Sequence, residues 1–463
     1  MLRDGECSVR QVKKIVILGA GLTGLSAAHF LEKRKIKPLI LEKENEAGGL
    51  CRTEEKNGFF FDYTGHLLHF KNKKWLRFIT TELKVPLKKH SRSASIQLLG
   101  RSVPYPFQYH LAYLPQKEKN ECVKDFLACG GQTERLSPSF DFAQDGEHVE
   151  SFDKGGLSGS FYTWARDSFG ERMFRLFFHP YNKKLWGCDL RKMSTLWMGR
   201  FVPPPSKELI LKGAERRNPG QSAGYNASFY YPERGGIGEI VKPLAKGKNI
   251  ILGTEVKSID LNKKIIFTGK GKISYDGIIS AIPLPVLLNR LRGSPGMRKL
   301  SKKLKWVSVK NTNLVLKKNF SEMGHWIYFP EKKFPFYRIG FLSNFSGVRG
   351  GFSNIYVETS YGNSSSPFSK GGCIQAKFGL CSVKSVLTFL RLTEKSVLVR
   401  KDLNIPYAYV IYDNEREKVL LEIFGFLKKH GIISTGRFGG WKYSTMEESL
   451  EDGLAASHKH FTE

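Results

Sequence analysis

The chain has 463 residues, enough for two or three domains with full cores. Its 41% hydrophobic and 25% charged content excludes a disordered chain, and no apolar run reaches membrane-spanning length, the nearest being Gly277–Leu288 with its two prolines. A net charge of +31 attracts polyanions in general, yet the lysines are scattered in short groups (Lys73-Lys74, Lys263-Lys264, Lys428-Lys429) without a helix-turn-helix or RNA-binding signature, so no specific nucleic-acid partner is expected.

Seven cysteines form no CxxC pair, which favours reduced thiols over a disulfide framework or a zinc site, and no metal is expected. The opening Met1-Leu-Arg-Asp-Gly-Glu-Cys7 lacks the apolar core of a signal peptide, so the expected location is cytoplasmic.

In chain order, the first predicted element is a buried parallel strand, Ile15–Leu18, rich in β-branched residues. Gly19, Gly21 and Gly24 follow at once, and Leu22, Leu25, Ala28 and Leu31 open an amphipathic helix. In a dinucleotide site the first glycine allows the tight turn and the second lets backbone approach a pyrophosphate. The third permits close helix–strand contact, while the helix N-terminus offers unpaired N–H groups. Leu39–Leu41 is the next strand, and Glu42 at its end is placed to accept from a ribose hydroxyl. The second glycine pair, Gly48-Gly49, with Leu50 and Arg52 after it, points to FAD and away from an exchanging nicotinamide. Asp62-Tyr-Thr-Gly-His66 closes this stretch.

The middle of the chain reads as mostly helical. Phe161–Phe169 and Glu171–His179 have helical apolar spacing, broken by Gly170 and stopped by Pro180. Gly253–Ile259 and Lys264–Phe267 read as hairpin strands, and Tyr275–Pro283 as a strand returning to the parallel sheet. Residues 300–400 alternate apolar and polar, as in Thr312–Leu316 and Trp326–Phe329, which predicts an antiparallel sheet. Ile432–Trp441 is a last strand ending in a glycine turn.

The expected fold is therefore α/β: a discontinuous Rossmann-like FAD-binding domain (1–90, 225–298 and 401–463) with two insertions. One is a helical domain (91–224) and the other an antiparallel β-sheet domain (299–400). Stretches 129–160 and 347–385 read as surface loops or insertions without assigned chemistry.

These cofactor pieces resemble the FAD-binding fold of the amine oxidase and protoporphyrinogen oxidase group. A closer resemblance, to the UDP-galactopyranose mutases, is carried by eight ordered blocks. They are Asp62–His66, Val103–Gln108, Pro180–Trp186, Met193–Trp197, Tyr231–Gly236, His325–Pro330, Phe336–Arg338 and Gly436–Tyr443. In that family the N5 of a reduced flavin attacks the anomeric carbon of galactose and expels UDP. The sugar ring recloses through a different hydroxyl before UDP returns, with no net redox change. The resemblance implies FAD kept reduced, with NADPH or NADH as electron donor, a small nucleotide-sugar substrate, and a homo-oligomer as an open option.

The resemblance also assigns residues. His66, beside the isoalloxazine, and Arg338, matching the family's diphosphate arginine, are the catalytic candidates. Arginine's planar fork suits a departing pyrophosphate better than lysine does, and Phe334–Phe336 with Tyr337 are expected to pack Arg338 in place. Gly19, Gly21, Leu22, Thr23, Gly24, Glu42, Lys43, Gly49, Leu50, Arg52, Gly65, His66, Val256, Gly436 and Arg437 are the expected cofactor contacts. Tyr105, Tyr328, Tyr409 and Tyr443 match phenols that contact diphosphate or sugar, and Gln108, Asn182 and Trp186 match uridine- and sugar-side contacts. The family's usual Gly-Gly-His is Thr64-Gly65-His66 here, and its second diphosphate arginine falls on Phe201, so either the neighbouring Arg200 takes that place after a one-residue shift or the second clamp is lost. Two other readings compete: an FAD oxidase or desaturase acting on an amine, porphyrinogen or polyene, and a non-catalytic, polyanion-associated flavin protein.

Overall fold

The apolar run Ile15–Leu18 forms strand β1, buried along its whole length, at the centre of a five-stranded parallel sheet. Beside it lie β2 (Leu39–Leu41) and Ile250–Ile251 on one side, and Gly277–Ser280 and Ile432–Ser434 on the other. The three sequence-distant cofactor pieces thus meet in one sheet, as their strand patterns predict. The computed structural model describes residues 14–129, 159–198, 202, 206–216, 227–346, 350–362 and 382–459. Arg200 and most of the expected loops at 129–160 and 347–385 lie outside that set.

Helix α1 (Leu22–Lys33) follows β1 directly and packs on the last helix, Met446–His458. That crossing is close because small residues meet there: a Cβ on Gly453 would stand 2.6 Å from the Thr23 carbonyl oxygen and 2.7 Å from the Ala27 nitrogen. Ser26 Oγ donates to the Leu450 carbonyl across the same contact (2.8 Å). Thr445 and Glu448 form a reciprocal capping box that starts the last helix.

A seven-stranded sheet stands opposite, in the order 397–410, 306–316, 353–362, 338–341, 326–328, 94–98 and 101–104. All its pairings are antiparallel except 326–328 with 94–98. The mixed α/β architecture is therefore the one expected, with one parallel and several antiparallel sheets. One boundary differs. Ala94–Leu98 and Arg101–Pro104, expected within the helical segment 91–224, extend the seven-stranded sheet instead, because Trp326–Tyr328 offers them a free edge.

The helical region contains Gln116–Ala128, Phe161–Met173, the π-turn Phe174–Phe178 and His179–Trp186. Gly170 breaks the helical path with φ +81, and its missing side chain lets the chain touch Asp125 and Phe126. Pro180 does not stop the helix as expected. It occupies the first turn of His179–Trp186, where a proline costs no internal hydrogen bond, and left-handed Gly187 ends that helix. No helix among the described residues is long and apolar enough to cross a membrane.

Candidate functional site

A cavity of about 1000 Å³ opens beyond the carboxyl ends of the parallel strands and is closed over by the seven-stranded sheet. Its floor comes from the turn after β1, the end of β2 and the turn Ala281–Pro283, the position where α/β sheets bind nucleotides. Gly19 takes φ +96 in the first turn. Gly21 and Gly49 face each other closely, a Cβ on Gly49 standing 3.2 Å from the Gly21 Cα, so this part of the floor is bare backbone. Gly24 does not face the cavity. A side chain there would run into the Gly19 carbonyl, which is the helix–strand contact expected of the third glycine.

Glu42 is buried and fixed by main-chain donors: Ala20 N–H to Oε2 (2.7 Å) and Glu44 N–H to Oε1 (2.9 Å). Each carboxylate oxygen keeps a lone pair for a further donor. Arg52 donates from Nε to the Gly49 carbonyl (3.0 Å) and from Nη2 to the Tyr63 hydroxyl (3.0 Å). Tyr63 in turn donates to Glu54, which pairs with Lys401 from strand Val397–Val410. Arg437 is held by the carbonyls of Ser444 (2.6 Å) and Ala408 (2.9 Å) with its guanidinium 4.8 Å from the Tyr443 ring centre. Bare glycine backbone, a helix N-terminus, a ribose-ready carboxylate and two anchored arginines fit a dinucleotide flavin.

The segment before His66 is tied down by Asp62. Its carboxylate accepts from the Thr53 hydroxyl (2.6 Å), the Tyr231 hydroxyl (2.6 Å) and the Ile237 N–H (3.2 Å), while burial pushes its pKa up to about 6. Thr64 adopts φ +80, an unfavourable conformation for a β-branched residue. His66 is partly buried, and its Nδ1, which is sealed from solvent, has no hydrogen-bond partner among the described residues. Burial first, then the positive charges of Arg437 and Arg338, lower its pKa to about 4, so the imidazole is neutral at physiological pH.

Arg338 reaches the cavity from strand Arg338–Phe341. Its Nε and Nη2 make a forked pair with Glu358 (2.8 and 2.7 Å), which is wholly buried and lies directly across the ladder. Phe334 and Phe336 do not pack Arg338 as expected. They join Phe329 and Phe389 in a separate apolar cluster, and Glu358 takes over the holding role. Tyr328, Tyr105, Tyr409 and Tyr443 line the same region, with Tyr105 and Tyr328 at 5.2 Å and Tyr409 and Tyr443 at 5.8 Å between ring centres. Burial holds the Tyr105 and Tyr443 phenols above their ordinary pKa, so both stay protonated as donors.

Of the other residues singled out by sequence, Leu22, Thr23, Lys43, Leu50, Gly65, Val256 and Asn182 line the cavity. Gly436, Gln108 and Trp186 do not. Gly436 (φ +83) packs against the Thr23 side chain, and Gln108 is buried outside the cavity. Trp186 stands one layer back, donating to Asn182 Oδ1 (3.3 Å), while Asn182 Nδ2 donates to the Phe178 carbonyl (2.8 Å). Sequence reasoning missed Glu358 and Tyr181. Tyr181 lies within the block Pro180–Trp186, but nothing local marks Glu358, which matters only once strands pair.

The model of the flavin containing amine oxidoreductases matches residues 22–361. The chain is similar to the crystal structure of a reduced UDP-galactopyranose mutase, with a TM-score of 0.84 at 25% identity over 96% of this chain and 94% of that one. It is 29% identical over 117 residues to a Mycoplasma pneumoniae UDP-galactopyranose mutase, covering 24% of this chain and 29% of that protein. It is 25% identical over 194 residues to an Escherichia coli dTDP-fucopyranose mutase, covering 39% of this chain and 44% of the relative. The matched segments thus span less than half the length of these two curated relatives. With the family model matched over residues 22–361, most of the chain, the chain belongs to the flavin containing amine oxidoreductase family.

Proposed function

We propose that the protein is an FAD-dependent mutase that interconverts the pyranose and furanose forms of a nucleoside-diphosphate hexose, with UDP-galactose the first candidate. The observation that carries this reading is the forked Arg338–Glu358 pair in a tyrosine-lined cavity, facing a histidine kept neutral. When bound and reduced, by a nicotinamide donor, the flavin supplies the nucleophile for the anomeric carbon.

The chain's own residues do the rest. Arg338 is pre-oriented by Glu358 and presents its remaining N–H groups to a leaving diphosphate, whose charge grows as the glycosidic bond breaks. The phenols of Tyr105, Tyr328, Tyr409 and Tyr443 donate to diphosphate or sugar oxygens, and their rings exclude water. His66 lies within the electrostatic reach of Arg437 and Arg338 without adding a third positive charge.

Amine oxidation, the chemistry suggested by the family's name, is the weaker reading. An ammonium substrate brought beside His66 would meet Arg338 and Arg437, both of its own sign. The deciding experiment mixes the purified protein, dithionite and UDP-galactofuranose and follows UDP-galactopyranose by chromatography. Product only under reducing conditions supports the mutase, and no product with a filled flavin site rejects it.

A further inference from the structure

Helix His179–Trp186 carries one charged side chain that turns away from most of the solvent and, among the described residues, makes no direct ion pair, the Glu331 carboxylate acting on it only at longer range. Lys184 Nζ donates to the main-chain carbonyls of Phe329 (2.8 Å), Glu331 (2.6 Å) and Phe336 (3.2 Å). An ammonium has three N–H donors, and here all three are used. The acceptors belong to one stretch, the connection between strands Trp326–Tyr328 and Arg338–Phe341. A lysine paired with a carboxylate would fix one side chain. Paired with three carbonyls, it fixes the path of the backbone.

That path matters because of what lies at its ends. Tyr328 precedes the first acceptor and Arg338 follows the last by two residues, and both reach the cavity. The helix contributes Tyr181 and Asn182 to the facing wall. The two walls touch through Tyr181 and Tyr328, edge to face at 5.3 Å. A second tie runs alongside, from Ser360 Oγ to the Leu185 carbonyl (2.8 Å), on the strand that bears Glu358.

We propose that Lys184 is a positioning residue: its ammonium clamps the 329–337 connection to the helix and so holds Tyr328 and Arg338 in register with Tyr181 and Asn182. The consequence for ligand affinity rests on the reading of the cavity as a nucleotide-sugar site, whereas the clamp itself does not. In Lys184→Met the three carbonyls lose their common donor, and the connection loosens without any change in the groups that line the cavity.

The test uses flavin-loaded protein and two measurements. Amide hydrogen exchange over residues 329–337 should quicken about tenfold or more in Lys184→Met, with exchange in β1 and α1 unchanged. UDP affinity, followed by the flavin absorbance, should fall about tenfold, with KM for the UDP-sugar raised more than kcat is lowered. In a double-mutant cycle, Lys184→Met should add little to the loss already caused by Arg338→Ala, because both changes remove one arrangement. Lys184→Arg, which keeps the charge but presents a planar fork to a three-way cage, should be intermediate, and it carries the measurement if Lys184→Met does not fold. Unchanged exchange over 329–337 in whichever variant folds overturns the clamp. Fully multiplicative losses in the cycle overturn its connection to Arg338. If the unaltered protein binds no UDP, the nucleotide-sugar reading fails and the exchange data alone judge Lys184.

Discussion

The Tyr356 ring is clamped between Gly65 and Gly340, and its hydroxyl occupies the space where Gly65 would carry a Cβ. Gly65 immediately precedes His66, so this contact sets how the His66 backbone enters the cavity. Gly65→Ala should push the segment off Tyr356, destabilise the protein by about 1–3 kcal/mol as overpacking does, and lower flavin occupancy. Thermal melts and the flavin-to-protein absorbance ratio measure both effects. A Gly65→Ala protein that melts and binds flavin like the parent would show that the segment yields freely.

Thr64 invites the opposite change. A β-branched residue at φ +80 stores strain that glycine would not, and Thr64→Gly should stabilise the protein by about 1 kcal/mol after allowing for glycine's greater unfolded-state entropy. The denaturant midpoint reads this directly, and a shift to lower denaturant would mean that the threonine side chain contributes more than its backbone costs.

Glu358 has no access to solvent and serves Arg338 alone among the described cations. Glu358→Gln should cost about 2 kcal/mol by leaving a largely buried guanidinium without its anion, and should weaken UDP binding about tenfold by releasing the arginine's aim. Arg338→Lys keeps the charge but not the fork and should weaken UDP to a similar degree. Calorimetric titration with UDP checks both variants, and wild-type affinity in either would remove Arg338 from the diphosphate site.

His66 gives a pH prediction with a definite sign. Its pKa is lowered from 6.5 to about 4 in the folded protein, so between those values the unfolded chain binds the proton that the folded one refuses. Stability from this group is complete above about pH 6.5 and is lost as pH falls toward 4, by about 3 kcal/mol in all. His325, also lowered to about 4, acts in the same direction. Asp62, raised to about 6, acts in the opposite one as pH falls below that value. The difference between wild type and His66→Gln isolates the first group. Unfolding at about pH 7 and about pH 4.5 should show the variant gaining about 2–3 kcal/mol relative to wild type on acidification. A constant difference would place His66 in water.

Local rules made the cavity floor readable in advance. Gly19, Gly21, Gly24 and Glu42 act within one strand–turn–helix–strand unit, so spacing along the chain is spacing in space. The parallel strands from three distant pieces were legible for a similar reason, since each announces itself by its own apolar run. Pro180 was misread because the same residue that ends one helical turn can open the next. Residues 94–104 were misplaced because strand pairing depends on which edge is free.

The sequence by itself determined a glycine-rich turn after the first strand, the α/β class, and the positions of His66 and Arg338 beside aromatic blocks. Those features rest on periodicity and on backbone freedom, which are local. Only the tertiary structure decided what holds them: Glu358 across the ladder from Arg338, Tyr231 on Asp62, Tyr356 beneath Gly65 and Lys184 on the 329–337 connection. Each joins elements that pair or pack only on folding, and burial then gives the partnership its strength, so no composition or spacing along the chain could name the second member.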